Sequence, residues 1–440
     1  MTLRQRTHWF ALHGVIRGLA TYGAKHGELQ GRLMADPTVR ADPGGFADEI
    51  RARGRLTRGR AAWLTADHAL ANQLLRSDDF AVTALGKTLP SPLAWLEEKT
   101  RVAGRLHPLL PPSLLSVEPP EHTRYRKTVS SVFTTRAVAA LRKRVEEAAI
   151  ALIDGLSDVP ADAAVDVVEQ YCSQLPITVI GDILGVPDAD RPRILEFGEL
   201  AAPSLDIGLP WEQYLRVEEG LDGFNTWLAQ HIARLRQNPG DDLMSQLIAA
   251  SEDGARLDDE ELRAVAGLVL AAGFETTVNL LGSGIRILLE HPDQLALLLE
   301  QPELWPGAVE EILRLESPVQ LSARLPVVDT EVDGHTLKAG NLVILYLAGA
   351  NRDPEVFPDP HRFDVTRENA GKHLSFSGGR HFCLGAALAR AEGEVGLRTF
   401  FERYPTARLA GAGSRRDTRV LRGWSSLPIT LGEARTAVRS

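Results

Sequence analysis

Residues 373–401 read HLSFSGGRHFCLGAALARAEGEVGLRTFF, and the rest of the chain is interpreted outward from them. Ser375, Ser377, Gly378 and Gly379 make a loop whose backbone can approach a ligand closely. Leu384, Leu388, Ala391 and Val395 follow at 4-3-4 spacing, which predicts a helix beginning just after Cys383. A helix start carries unsatisfied N–H groups and the positive end of the dipole, so this position predicts a lowered thiol pKa and a thiolate. Gly385 leaves room for a flat group beside the helix start. Three fates are open to such a cysteine. An inert buried thiol is the commonest. A nucleophile would need His381 as base, but residues i and i−2 rarely align and no oxyanion partner is evident. A metal thiolate is the third, although no cluster of Cys or His supplies a zinc set.

The second informative stretch is the longest predicted helix, about 258–290, some 45 Å at 1.5 Å per residue. Asp258 and Asp259 suit its N-terminus, where the dipole favours negative charge. Its apolar residues predict passage through the core, yet Gly273, Glu275, Thr276, Thr277 and Asn279 interrupt them. Gly costs about 1 kcal/mol in a helix interior, a buried carboxylate costs more unless paired, and Thr can bond back to the i−4 carbonyl. Val265, Val269, Ala272 and Thr276 share one face, with Glu275 beside it. The plain alternative is a polar stripe facing solvent; the expectation is a polar break in a core helix.

The remainder is ordinary globular sequence. The chain has 440 residues, 44% hydrophobic and 24% charged, with a net charge of −9. That composition excludes wholesale disorder, and the acidic balance argues against a general nucleic-acid binder. Two cysteines, Cys172 and Cys383, make no disulfide framework and fit a reducing, cytoplasmic setting. The longest small-and-apolar run, AVAGLVLAAGF at 264–274, is far short of the ~20 residues of a spanning helix. No signal peptide is readable at the N-terminus. Trp9, Leu12, Val15, Ile16 and Leu19 recur at helical spacing, favouring a first helix packed on the body over an interfacial membrane helix. Further helices are expected at about 136–156, 161–183, 212–236, 294–301, 307–315 and 384–403. Strands are expected at Leu56–Arg60, Ala62–Thr65, Glu331–Val332, Leu342–Leu347 and Arg419–Leu431. Two long Pro-rich loops, roughly 81–121 and 350–383, read as functional. No linker divides the chain, so one domain over 1–440 is expected.

A lone thiolate suits a metal already held in a cofactor, such as haem iron, and here a family resemblance enters. FSGGRHFCLG (376–385) resembles the haem-binding loop of cytochrome P-450 enzymes, with Phe376, Gly379, His381, Cys383 and Gly385 in place. AGFETT (272–277) is similar to that family's oxygen-activation motif. EEILR (310–314) supplies its Glu311–Arg314 pair. ANRDP (350–354) and PHRF (360–363) resemble the segment leading to the haem loop, and PPEHTRYR (119–126) the segment lying against the haem. The resemblance spans roughly 118–430 and suits a soluble bacterial member of actinobacterial type.

The resemblance implies a mainly α fold with a small β-sheet region, haem b lying between the long central helix and the helix after Cys383. It implies an O2-dependent monooxygenase. Cys383 would be the axial thiolate on iron, with Phe376 packed near it and Gly385 beside the ring. His122, Arg126, Arg324 and His381 would bind the haem propionates. Ala272 and Gly273 would lie beside the haem, Gly273 opening a groove for dioxygen. Thr276 would hold a water by its hydroxyl and Glu275 would relay protons. Glu311, Arg314 and Arg362 would form a buried ion network, though Glu310, four residues before Arg314, could equally make a surface pair with it. A peroxide-driven relative is disfavoured by the intact Glu275–Thr276 pair; a haem-based gas or redox binder remains the alternative from another class.

No dinucleotide fingerprint is present, since Gly282-Ser283-Gly284 lies within a helix. Electrons must therefore come from outside, and the resemblance implies a ferredoxin and its reductase. Arg124, Lys127, Arg142, Lys143 and Arg144 would offer the docking charge, unless they are simply a solvated face. Leu85, Leu89, Leu93, Trp95, Leu109, Leu110 and Leu114, with Val319–Ser322 and Ser425–Leu427, would shape a pocket for a hydrophobic substrate.

Overall fold

The computed structural model describes residues 2–130, 135–252 and 257–435. Helices dominate, as expected, and the central helix Asp259–Glu290 runs through the main core. Its start is a reciprocal capping box. Asp258 Oδ1 accepts from Glu260 N at 2.9 Å and Glu261 N at 2.8 Å, and Glu261 Oε2 accepts from Asp258 N at 3.0 Å. It stops at His291 because Pro292 opens the next helix, Pro292–Glu300. Among the described residues it is the one helix long and apolar enough to cross a membrane, but 67% of that stretch is buried in protein.

The helix after the cysteine, Ala386–Arg403, packs along the central one. Glycines set the closeness. A side chain at Gly284 would collide with Leu397, one at Gly393 with Leu280, and one at Gly396 with Leu281. Residue number rises together on both helices through this contact. Ahead of it, the stretch bearing Ala272 and Thr276 therefore faces the stretch bearing Cys383 and Ala387.

A five-stranded sheet sits to one side, in the order Thr57–Arg58, Trp63–Thr65, Val343–Tyr346, Leu321–Pro326, Phe80–Ala81. Only the pairing of Trp63–Thr65 with Val343–Tyr346 is parallel. The strand Leu321–Pro326 holds Arg324, buried although charged.

Two sequence expectations fail for the same reason, long-range pairing. The segment 161–183 is not one helix. Ala164–Asp166 is a strand antiparallel to Pro428–Thr430, and the chain turns through a π-helical stretch, Val168–Cys172, before the helix Gln174–Ile183. The segment 419–431 is not one strand either; it holds Trp424–Ser426 and Pro428–Thr430, each paired to a different neighbour. The loop 81–121 contains a helix, Ser91–Thr100. The N-terminal segment packs on the body, with Leu12 buried and Leu19 exposed. Trp9 Nε1 donates to Leu209 O at 3.0 Å, Gly208 N donates to His13 Nδ1 at 3.1 Å, and Arg4 Nε donates to Thr100 O at 3.0 Å.

Candidate functional site

Ala272 on the central helix and Cys383 and Ala387 on the other side are exposed, and Thr276 is half-exposed, although both helices bury many of their residues in the core. An internal gap between the two helices accounts for this. Cys383 is densely surrounded and still presents surface, because its thiol opens on the gap. Its main-chain N–H donates to Phe376 O at 2.9 Å, closing the loop. Burial pushes the Cys383 thiol up, against the Gly385 N–H and the charges of Arg126 and Arg390. The expected lowering is thus reversed, because desolvation outweighs the helix start. A Cβ at Gly385 would meet nothing within 4 Å, so the space expected there exists. Gly273 is different. A Cβ there would press on Ile180 at 3.0 Å, so this glycine serves packing of the helix Gln174–Ile183.

At one edge of the gap, His122 and His381 have ring centroids 4.2 Å apart. His122 Nε2 is buried without a partner. Burial, then the nearby His381 and Arg126, push His122 down to about 4. Arg324 is 3% exposed; its Nη1 donates to Ser322 Oγ at 3.0 Å and Ala323 O at 2.9 Å, while its Nη2 has no partner. Burial depresses even this guanidinium, to about 10, despite Glu118. Glu118 was missed by sequence reasoning. It accepts from Val82 N at 2.6 Å and Arg380 Nη1 at 3.0 Å, and lies 3.3 Å from His381 Nε2. Burial alone would raise it, but His381, Val82 N and Arg380 together hold it at about 2. The orphaned guanidinium nitrogen of Arg324 and imidazole nitrogen of His122 are suited to acidic oxygens. With one soft thiol facing an open gap, this donor set fits haem b.

Behind the cysteine loop lies a closed ion network. Arg314 donates to Glu311 at 2.6 and 2.8 Å, to Asn351 O at 2.9 Å, to Pro360 O at 2.7 Å and to Arg362 O at 3.1 Å. Both side chains are fully buried. Arg362 gives only its carbonyl; its side chain is 65% exposed. The guanidinium expected from Arg362 comes instead from Arg367, 3.1 Å from Glu311 Oε1. Glu310 points away from Arg314, to Arg390 at 2.5 Å and His373 at 3.2 Å, and Arg390 lies 4.6 Å over the Phe376 ring.

On the central helix, Thr276 and Thr277 bond back to Ala272 O at 2.9 Å and Gly273 O at 3.2 Å, as their positions predict. Glu275 is buried, not part of a solvent stripe. Its Oε1 lies 3.4 Å from Arg416 Nε. Burial raises Glu275 to about 7 against the pull of Arg416; Glu199 adds to the rise, and the Asn279 amide, close by but outside hydrogen-bond geometry, opposes it. A second buried acid went unread. Glu392 accepts from Thr277 Oγ1 at 3.3 Å, and burial pushes it up to about 8. Its signal was present, because Leu388, Glu392 and Val395 share the buried face.

The proposed docking cations are largely neutralised. Arg124 donates to Glu261 at 2.8 Å, Arg142 to Glu394 at 3.0 Å, and Lys143 lies 3.5 Å from Glu147; Lys127 and Arg144 are exposed.

The sequence profile of the cytochrome P-450 family matches residues 298–410. Over 439 residues the chain is 65% identical to cytochrome P-450 140 of Mycobacterium tuberculosis, covering 99% of this chain and 100% of that one. It is 42% identical over 318 residues to the 6-deoxyerythronolide B hydroxylase of Saccharopolyspora erythraea, 71% of this chain and 76% of that one. A solved myxobacterial cytochrome P-450 in complex with myristic acid matches with a TM-score of 0.81 and 32% identity, over 90% of this chain and 98% of that one.

Proposed function

The chain belongs to the cytochrome P-450 family of haem-dependent monooxygenases, and from that we propose that it hydroxylates a hydrophobic small molecule of lipid, polyketide, sterol or terpenoid class. The observation that carries the reading is the gap bounded by Thr276 and Cys383, edged by the orphaned nitrogens of His122 and Arg324. When bound, haem b supplies activation of O2 and insertion of one oxygen atom, using two electrons from outside.

The chain's own residues do the rest. Cys383 would hold the iron through its sulfur, with the Gly385 N–H and the charges of Arg126 and Arg390 favouring the ionised form. His122, Arg126, Arg324 and His381 hold the propionates, with Glu118 keeping His381 in place. Ala272, exposed on the gap, would lie beside the haem, with Gly273 next to it in the chain. The Thr276 hydroxyl, donating to Ala272 O, keeps lone pairs free and would accept from a water in the gap. Glu275, held at about 7, is populated in both protonation states near neutrality, which suits it to give a proton and take one back. Glu311, Arg314 and Arg367 fix the loop that presents the thiol.

The substrate class draws support from the hydroxylase relative, whose name specifies 6-deoxyerythronolide B, and from the solved relative holding myristic acid. Leu85 and Leu110 line a cavity of about 270 Å³ under the N-terminal helix, but Arg4, Glu97, Arg105 and Glu218 line it too, so the substrate class rests on the relatives alone. A ferredoxin with its reductase is the proposed donor, in a cytoplasmic setting, with the chain acting as one domain. The reading is tested by reducing the purified protein and adding carbon monoxide. Thiolate ligation by Cys383 gives the far-displaced Soret band, and Cys383→Ser abolishes it. A wild-type protein loaded with haem but lacking that band would overturn the assignment. Spectral shifts on titrating polyketide lactones, sterols and fatty acids then sort the substrate class.

A further inference from the structure

The central helix carries Glu275, Asn279 and Ser283 four residues apart, a stripe about 12 Å long on one side. All three are buried, at 6%, 0% and 1% exposure. Glu275 Oε1, both amide atoms of Asn279 and Ser283 Oγ have no hydrogen-bond partner. Two more orphans come from the segment packed against this helix. Arg416 Nε lies 3.4 Å from Glu275 Oε1 without bonding alignment. Trp424 Nε1 is the other, with the neighbouring ring carbon Cδ1 3.6 Å from the Cβ position of Gly282. A Cβ at Gly423 would run into the Asn279 amide, so only a glycine lets the segment sit this close.

A row of donors and acceptors left unpaired in a core is satisfied, as a rule, by buried water bridging two to four of them. A single ion cannot serve here, because carboxylate, amide, hydroxyl, guanidinium and indole alternate between accepting and donating. Water does both. The row also reaches the surface. Arg416 and Gly423 line a cavity of about 290 Å³, together with Gln320, Tyr346, Arg415 and Asp417. Arg416 Nη2 lies 3.5 Å from Glu199 Oε1, and the Glu199 side chain is 59% exposed.

We infer that this cavity is the solvent end of a file of buried waters, held by Asn279, Ser283, Arg416 and Trp424, that returns protons to Glu275. The inference rests on the proton-relay reading of Glu275 given above and adds its route. Each proton that Glu275 passes toward Thr276 is replaced from the adjoining water. That water takes one from the next, and bulk solvent supplies the last, so no charge is left inside. Arg416 has no acceptor atom with which to pass a proton on; it is a positioning residue that keeps the Glu275 carboxyl aimed at the file.

The test uses the full-length haem protein with a substrate found by spectral titration. Glu275→Gln lowers product formed per NAD(P)H consumed and raises hydrogen peroxide release. Asn279→Leu, which keeps shape and removes the polar link, does the same by about tenfold, and Ser283→Ala follows in the same direction if Asn279→Leu fails to fold. A high-resolution crystal structure of the substrate-free wild type shows ordered waters bonded to Ser283 Oγ, Asn279 and Trp424 Nε1. Absence of those waters overturns the file. So does wild-type coupling in Asn279→Leu, or in Ser283→Ala where that variant stands in, when Glu275→Gln is uncoupled; the relay reading then stands. Wild-type coupling in Glu275→Gln overturns the relay reading and this route with it.

Discussion

Two interior glutamate–arginine pairs, Glu311–Arg314 and Glu275–Arg416, are finished in opposite ways. At Glu311–Arg314 the guanidinium meets two carboxylate oxygens and three carbonyls, and the carboxylate also receives Arg367 and the Asp364 N–H at 3.1 Å. At Glu275–Arg416 the facing atoms are 3.4 Å apart and both lack a hydrogen bond. Burial and residue types are nearly the same, so the difference lies in satisfaction. A closed pair locks the irregular 350–383 segment, which has little regular hydrogen bonding of its own. An open pair keeps a carboxyl near neutrality in charge and able to exchange a proton.

Three measurements press on this contrast. The largest effect is expected at the closed pair: Glu311→Gln leaves Arg314 buried and uncompensated, a loss of about 3–5 kcal/mol in urea unfolding, with weakened haem retention. A loss below about 1 kcal/mol would erase the distinction. Next come the acids held above their ordinary range. Folding prefers Glu392 and Glu275 protonated, so the stability they favour is complete below about pH 4.5 and is lost as pH rises through about 8 and about 7 respectively. Glu392→Gln should flatten the fall in Tm across that window, and Glu275→Gln should flatten it less. An unchanged pH slope in Glu392→Gln would refute the shift. The smallest effect separates two arginines: Arg367→Ala weakens the network by about 1–2 kcal/mol, whereas Arg362→Ala stays within about 0.5 kcal/mol, as for an exposed side chain. Equal losses would return the guanidinium role to Arg362.

The long helices were legible because their apolar spacing and end signals agree; Asp258 and Pro292 bracket the central helix as read. The thiol loop was legible because glycines, a cysteine and a helix start fall together. What escaped depended on partners far along the chain. Ala164–Asp166 looks helical until Pro428–Thr430 pairs with it. Arg367 displaced Arg362 because the direction of a loop side chain has no periodicity to reveal it. Glu118 and Arg416 were unreadable for the same reason: each finds its site only when loops more than a hundred residues apart meet. Glu392 was readable and passed over, since a glutamate on an apolar helical face is itself a signal.

The N-terminal segment ties two neighbours, Arg4 to the end of the Ser91–Thr100 helix and Trp9 and His13 to the turn at Gly208–Leu209. Trimming this end to tidy a recombinant product would therefore strip the Thr100 and Leu209 carbonyls and the Gly208 N–H of these partners and loosen both neighbours. Stability comparisons between preparations should keep the amino terminus identical.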